Sequence, residues 1–245
     1  ITNIDQLIKP ELIDLDCSTQ EVIDEKLIEL DGTDNKEKLG ANAILAVSLA
    51  SVRAFSSLSN KELFELIPNI YGDPHLPTPL MNILNGGEHA DNNIDIQEFM
   101  IIPHGFDSYT DSLRAGVEIY HRLKEELKSN NMSTNVGDEG GFAPDLDSSE
   151  NAIEIILKAI NLAGYKPEEQ ISLALDVAST EFYNNEKYYL EGREFSDEEM
   201  VGFLVDLVKK YPIISVEDGM AEDDWEGWQK LTEALGAKIQ LVGDD

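Results

Sequence analysis

Over residues 1–70 the apolar positions fall at helical spacing, and this stretch is predicted to be helical. Ser18 with Glu21 has the capping-box pattern ahead of Val22, Ile23, Leu27, Ile28 and Leu30, and Asp31-Gly32-Thr33 ends that helix. A second helix is predicted from about Asn42 to Leu58. It is rich in Ala, Leu, Val and Ser with few charges, which implies burial on most sides. Pro68, Gly72, Pro74, Pro77 and Pro79 then punctuate the chain, and a domain boundary is placed there, separating residues 1–72 from 73–245.

Beyond that point the pattern changes. Leu80–Leu84 and Ile96–Ile102 are short apolar runs bounded by Gly, Asn and Pro, and both are predicted strands. Helices are predicted at about Ser108–Ser129 and Ser149–Ala163. They are followed by strand Ser172–Val177, helix Asp197–Lys210, strand Ile213–Val216, helix Asp224–Leu235 and strand Ile239–Val242. Strands alternating with helices imply a parallel α/β sheet, and strands without polar alternation imply cover on both faces. Trp225 and Trp228, three apart on one helix, read as core residues. No repeat or low-complexity segment stands out.

Composition narrows the classes. A hydrophobic fraction of 42% supports a sizeable core. No run approaches the roughly 18 consecutive apolar residues of a membrane span, and the start, Ile-Thr-Asn-Ile-Asp, has no signal-peptide pattern. A single cysteine, Cys17, excludes an internal disulfide and suits a reducing cytoplasm. The net charge of −31 disfavours nucleic acid and anionic membranes as partners. An anionic substrate would then need bound cations or a local basic pocket.

The candidate chemistry lies in carboxylates. Ser172-Leu-Ala-Leu-Asp176, Ile213-Ile-Ser-Val-Glu217 and Ile239-Gln-Leu-Val-Gly-Asp244 each run from an apolar strand into an acid. In a barrel of parallel strands such ends share one face, where catalytic groups gather. Asp176, Glu217 and Asp244 would converge there, and an all-oxygen set suits a hard divalent ion such as Mg²⁺. Acids also favour strand ends for no chemical reason, so each alone says little. Asn135-Val-Gly-Asp-Glu-Gly-Gly141 sets two acids between glycines, which permit close approach by a ligand. Asn85-Gly-Gly-Glu-His-Ala-Asp-Asn-Asn93 is a polar link suited to a mobile lid carrying His89. Gln97-Glu98 opens the following strand, where a buried acid needs a partner or a raised pKa. His75, His104 and His121 read as structural or surface residues.

Together these motifs resemble the enolase family, and the match runs in order along essentially the whole chain. The stretches are Lys38-Leu-Gly-Ala-Asn-Ala-Ile-Leu45, Asn82-Ile-Leu-Asn-Gly-Gly87 with His89, Asp95-Ile-Gln-Glu-Phe-Met100 and Asn135-Val-Gly-Asp-Glu-Gly-Gly141. They continue with Leu175-Asp176, Ser179-Thr-Glu-Phe182, Ser215-Val-Glu-Asp218, Ala221-Glu-Asp-Asp-Trp-Glu-Gly-Trp228 and Val242-Gly-Asp-Asp245, and the phrasing looks bacterial.

The resemblance implies an α/β fold. Part of a TIM-like barrel, with an antiparallel first strand pair, would follow the helical part of an α+β N-terminal domain. It implies Mg²⁺-dependent interconversion of 2-phosphoglycerate and phosphoenolpyruvate, a cytoplasmic location with a secondary surface pool left open, and a homodimer or larger assembly. It implies that Asp176, Glu217 and Asp244 ligate Mg²⁺, that Glu139 protonates the departing hydroxyl, and that Glu98 is its partner. His89 would be the mobile-loop histidine and Gln97 a substrate-site neighbour. The family's proton-abstracting lysine and phosphate-gripping groups match no position in this chain, so the chain by itself is expected to be inactive. Another member of the wider superfamily acting on a different carboxylate, or a non-catalytic relative, are the alternatives.

Overall fold

The computed structural model describes residues 1–15, 19–66 and 75–244. Ser18, Cys17, Pro68, Gly72 and Pro74, and with them part of the predicted cap and the boundary at 72/73, lie outside the described residues. Two compact units divide between His75 and Leu76.

The first unit is helical. A π-helical turn, Ile4–Ile8, runs into α1 (Lys9–Leu12), followed by α2 (Gln20–Asp31), α3 (Ala41–Ser59) and α4 (Leu63–Leu66). Gly32 closes α2 in the left-handed conformation, at φ 67°, and its N–H returns to the Ile28 carbonyl, as the Asp31-Gly32 signal implied. Asp31 is buried and stitches the following turn. Its carboxylate accepts the backbone N–H groups of Thr33 (3.1 Å) and Leu39 (2.7 Å). Ile8, Ile23, Leu27 and Leu39 make a small core. Burial of α3 on most sides is not what the structure shows: Val52 is its buried residue, while Leu45, Leu49 and Leu58 are exposed. The described part of this unit covers only the α3 stripe that meets α2. α3 also has the length and mean hydropathy, 1.4, of a membrane span, although no long apolar run exists in the sequence. Serines spaced along it and Arg53 explain the difference.

The second unit is an open α/β sheet. In chain order it contains β1 (Met81–Asn85), β2 (Glu98–Pro103), α5 (Tyr109–Ser129), α6 (Ser149–Leu162) and β3 (Ile171–Asp176). A three-stranded meander follows, β4 (Tyr183–Asn184), β5 (Lys187–Leu190) and β6 (Arg193–Phe195), and then α7 (Asp197–Lys210), β7 (Ile213–Glu217), α8 (Trp225–Leu235) and β8 (Gln240–Val242). The main sheet has order β1-β2-β3-β7-β8; β2 runs antiparallel to both its neighbours, while β3, β7 and β8 are parallel. Two helices with no strand between them explain this: only a paired helix excursion separates β2 from β3, and β2 itself is reversed. The strand expectation thus holds with shifted ends, and the sheet is not closed.

The side-chain period of two sorts each strand onto two faces. Phe99, Ile101, Leu173 and Leu175 face the main core under the helices, whereas Met100, Ile102 and Ala174 form a separate cluster on the other face. Glu98 and Asp176 share the parity of that second cluster. α5 presents Ala115, Ile119, Leu123 and Leu127 at four-residue spacing to the core, each fully buried. Burial of each Leu or Ile contributes about 1.5–3 kcal/mol. Gly116 lies where a Cβ would stand 2.1 Å from Met81 Sδ, so α5 seats on β1 only without a side chain there. Ser108, Ser148, Ser196 and Asp224 cap α5 to α8 through their side chains, and Ser196 with Glu199 completes a capping box.

Two sequence expectations need correction. Trp225 is 78% exposed at the first turn of α8, and only Trp228 packs inward, with its Nε1 donating to the Ala221 carbonyl (3.1 Å). The β4–β6 meander was not predicted. Its strands are two to four residues long, and its turns use left-handed Asn185, Glu186, Glu191 and Gly192.

Candidate active site at the strand ends

One rung of residues crosses the main sheet at a single end. Asn85 pairs with Glu98, Glu98 with Asp176, Asp176 with Glu217, and Glu217 with Val242. Because β2 is reversed, its first residue meets the last residues of its neighbours, which is how Glu98 joins acids from two parallel strands. Glu98 and Asp176 are buried, Glu217 is half-buried, and Asp244 is exposed two residues past β8.

The loop carrying Glu139 is laid along the free edge of β1. Asn85 N–H donates to the Phe142 carbonyl (2.9 Å) and Phe142 N–H to the Ile83 carbonyl (3.0 Å). Gly137 N–H donates to the Gly141 carbonyl (2.8 Å), closing a tight turn with Gly140 at φ 87°. Tyr120 O–H holds the Gly140 carbonyl (2.8 Å) while its ring stacks on Phe142 at 4.3 Å. The link that carries His89 is tied down at several points. Gly86 N–H donates to the Gln97 carbonyl, Asn92 Nδ2 to the Asn85 and Pro144 carbonyls, and Asp138 N–H to the His89 carbonyl (3.0 Å).

These ties bring His89, Glu98 and Glu139 together. Their ligand-capable atoms all lie within 4.8 Å of one another, with His89 Nδ1 3.5 Å from Glu98 Oε1 and 3.9 Å from Glu139 Oε2. Burial pushes the Glu98 carboxyl up to about 9, reinforced by its hydrogen bond to Glu139 and by the charges of Glu139, Asp176 and Glu217. The Glu139 carboxyl is held below its usual range, chiefly by the hydrogen bond from Glu98, with Asn82 and His89 acting in the same direction. Two adjacent carboxyls cannot both ionise easily, and the shared proton rests on the buried one. Near neutral pH, Glu98 is therefore the protonated partner and Glu139 the carboxylate.

Asp176 is pushed up by burial, a shift opposed by Gln97 Nε2, which donates to Asp176 Oδ2 at 3.0 Å. Glu217 is pushed up to about 7 by burial and by the charges of Asp176, Asp244, Asp218 and Glu139. Asp244 reaches Glu217 through charge. Among the described residues its carboxylate does not close with those of Asp176 and Glu217 to the spacing of the His89 group. The donor set is nonetheless all carboxylate oxygen, and crowded negative charge raises the pKa values of its buried members. Both features fit a hard divalent cation.

Asp218, named above only as the end of the Ser215-Val-Glu-Asp218 motif, ties the strand ends to one another. Its N–H donates to the Val242 carbonyl (3.0 Å), its carbonyl accepts from Ser179 N–H (3.1 Å), and its Oδ1 accepts from Asp244 N–H (2.9 Å). Val177 N–H donates to the Glu217 carbonyl (2.9 Å). Asp218 (φ 45°) and Ala178 (φ 47°) both take left-handed conformations immediately after the acid-bearing ends, a strained arrangement for non-glycine residues. The meander braces the same region, with Tyr188 O–H donating to Asp224 Oδ2 (2.5 Å) and accepting from Ala221 N–H (3.1 Å). Asn82 and Asn85, quoted above only as part of a motif, flank the Glu139 loop. The signal available in sequence was their placement on either side of Ile83-Leu84, just ahead of Gly86-Gly87.

Comparison with known proteins agrees with this layout. Residues 73–245 match the enolase C-terminal TIM barrel domain and residues 1–67 match the enolase N-terminal domain. An enolase of Natranaerobius thermophilus is 53% identical over the full length of this chain, which spans 57% of that relative. The two matched domains, which cover nearly all of the chain, and this identity lead to one conclusion: the chain belongs to the enolase family.

Proposed function

We propose that the whole protein is an enolase, a hydro-lyase that reversibly dehydrates 2-phospho-D-glycerate to phosphoenolpyruvate, working in the cytoplasm as a homodimer or larger assembly. The observation that carries this reading is the gathering of Glu98, Glu139 and His89 within 4.8 Å of one another at the end of the sheet where Glu98, Asp176 and Glu217 pair in one rung. Asp176, Glu217 and Asp244 would hold Mg²⁺, which when bound offsets the negative charge of the substrate carboxylate and of the ene-diolate formed from it. Such ionic help is needed in a chain of net charge −31.

The acid step follows from the pair. Glu139, at the exposed tip of its loop, delivers a proton to the departing hydroxyl, which leaves as water. Glu98, buried and protonated, supplies that proton through their hydrogen bond. Gln97 orients Asp176, and His89 lies beside both acids, where a substrate would be gripped. The rung of Asn85, Glu98, Asp176, Glu217 and Val242 carries no lysine, and the alpha-proton is assigned to a separate base outside it. This chain alone is expected to catalyse neither half of the reaction.

The test is Glu139→Gln in the whole protein. General acid catalysis contributes about 10²–10⁴-fold, and dehydration should fall by that order while solvent exchange of the alpha-proton continues. Chelation of Mg²⁺ should abolish both. Exchange lost in parallel with dehydration, in a variant that still binds Mg²⁺ and substrate, overturns the assignment of Glu139.

A further inference from the structure

Asn82 faces Glu139 from β1. Its Nδ2 donates to Glu139 Oε2 at 3.3 Å, while its Oδ1 is buried and without a hydrogen-bond partner among the described residues. A buried amide with one end unpaired is costly, and such groups persist where the other end has a task. The surroundings are shaped to admit it. A Cβ on Gly141 would stand 2.9 Å from Asn82 Oδ1 and 2.4 Å from Asn85 Oδ1.

The loop backbone does not depend on Asn82. It is fixed by Gly137 to Gly141, by Asp138 to His89, by Phe142 to Ile83 and Asn85, and by Tyr120 to Gly140. What Asn82 adds is a hold on the Glu139 side chain alone, on the carboxyl that also meets Glu98. Without it, this half-exposed glutamate at a loop tip keeps only its contacts with Glu98 and His89 and gains rotamer freedom about its side-chain bonds.

We infer that Asn82 is a positioning residue for the acid step, its amide N–H keeping the Glu139 carboxyl turned toward Glu98 and the departing hydroxyl. This rests on the function proposed above and adds a residue to it. The step itself is unchanged: one proton moves from Glu139 to the hydroxyl as the carbon–oxygen bond breaks, and water leaves.

The experiment uses the whole protein with Mg²⁺ and 2-phosphoglycerate, comparing the parent with Asn82→Ala and Asn82→Asp. Misplacing a reacting group by about 1 Å can cost about 10²-fold, so the Ala variant should lose about tenfold to a hundredfold in kcat for dehydration. KM should stay within about threefold, since the hold acts after substrate is bound. Alpha-proton exchange should continue at the parent rate, and Tm should change by no more than about 2 °C. The Asp variant fills the same space with an oxygen in place of the N–H, and at pH 8 should fall at least as far as Ala. A purely structural role would instead lower Tm and depress both reactions together. Dehydration within about twofold of the parent, parallel loss of exchange, or parent-like rates in the Asp variant each overturn the inference. A parent that fails to dehydrate 2-phosphoglycerate refutes the proposed function and this inference with it; an active parent with a neutral Ala variant refutes only the latter.

Discussion

Tyr188→Phe tests how the meander supports the strand ends. The ring is fully buried and packs at a tilt against Tyr183, with ring centres 4.6 Å apart, and Phe preserves that packing. Only the hydroxyl is lost. Ala221, 1% exposed, then has an N–H without an acceptor, and Asp224 Oδ2 loses its donor while Oδ1 keeps the Gly227 N–H at 2.9 Å. An unsatisfied buried donor costs about 1–3 kcal/mol. The Asp224 carboxylate is partly solvated, and losing its bond adds about 1 kcal/mol or less. A total near 2–3 kcal/mol is expected, and in a chain of this size each kcal/mol lowers Tm by about 2–4 °C. Burial and the neighbouring Asp224 push the Tyr188 phenol well above its usual range, so the donor persists throughout the working pH range. The assay is urea denaturation followed by far-UV circular dichroism, with the slope unchanged and the midpoint lowered. A variant within about 0.5 kcal/mol of the parent would refute the argument, because both partners would then have found other bonds.

Glu126 on α5 accepts from Lys158 of α6 and from Asn130 Nδ2 (2.7 Å), and the Lys158 contact holds its carboxyl below the usual range. A depressed folded pKa gives stability that is present above the unfolded pKa and lost as pH falls through the folded one. Because Lys158 is 58% exposed, the contribution is discounted to about 1 kcal/mol. Glu126→Gln should therefore cost about that much at pH 7 and nothing once the parent's carboxyl is protonated; an unchanged gap in urea midpoints at pH 2 counts against the linkage. Gly141→Ala would place a methyl 2.8 Å from Leu84 N and 2.4 Å from Asn85 Oδ1, so about 1–3 kcal/mol should be lost along with dehydration; a stable, active variant shows that the loop has room to shift.

Much of the second unit was legible because its signals were local. The helices expected from Ser108, Ser149, Asp197 and Asp224 begin within a residue of those positions, where Ser108, Ser148, Ser196 and Asp224 cap them, and Asp197–Lys210 forms as the pattern implied. Strand ends moved by one or two residues, because pairing across the rung, rather than apolarity, decides where a strand stops. α3 misled for the opposite reason: apolar composition states what a helix can bury, not what lies against it. The acids of the site were visible individually, but where the proton rests was not. It depends on Glu98 being buried while Glu139 sits at a loop tip, and only the reversed strand makes that so. Asn82 and Asp218 were invisible because their partners, Glu139 and Asp244, lie 57 and 26 residues away.

The knot at Asp218 has a dynamic consequence. The backbone N–H, carbonyl and carboxylate of this one residue join the ends of β3, β7 and β8, which ties their fraying together. The amides of Ser179, Asp218 and Asp244 are therefore expected to open together and to exchange with solvent as a group, as in a small foldon. Proteins usually draw their ligand-handling segments from the least protected part of the chain. Here the acids on three separate strands are instead kept in mutual register by a cooperative local unit, so thermal motion that displaces one must displace all.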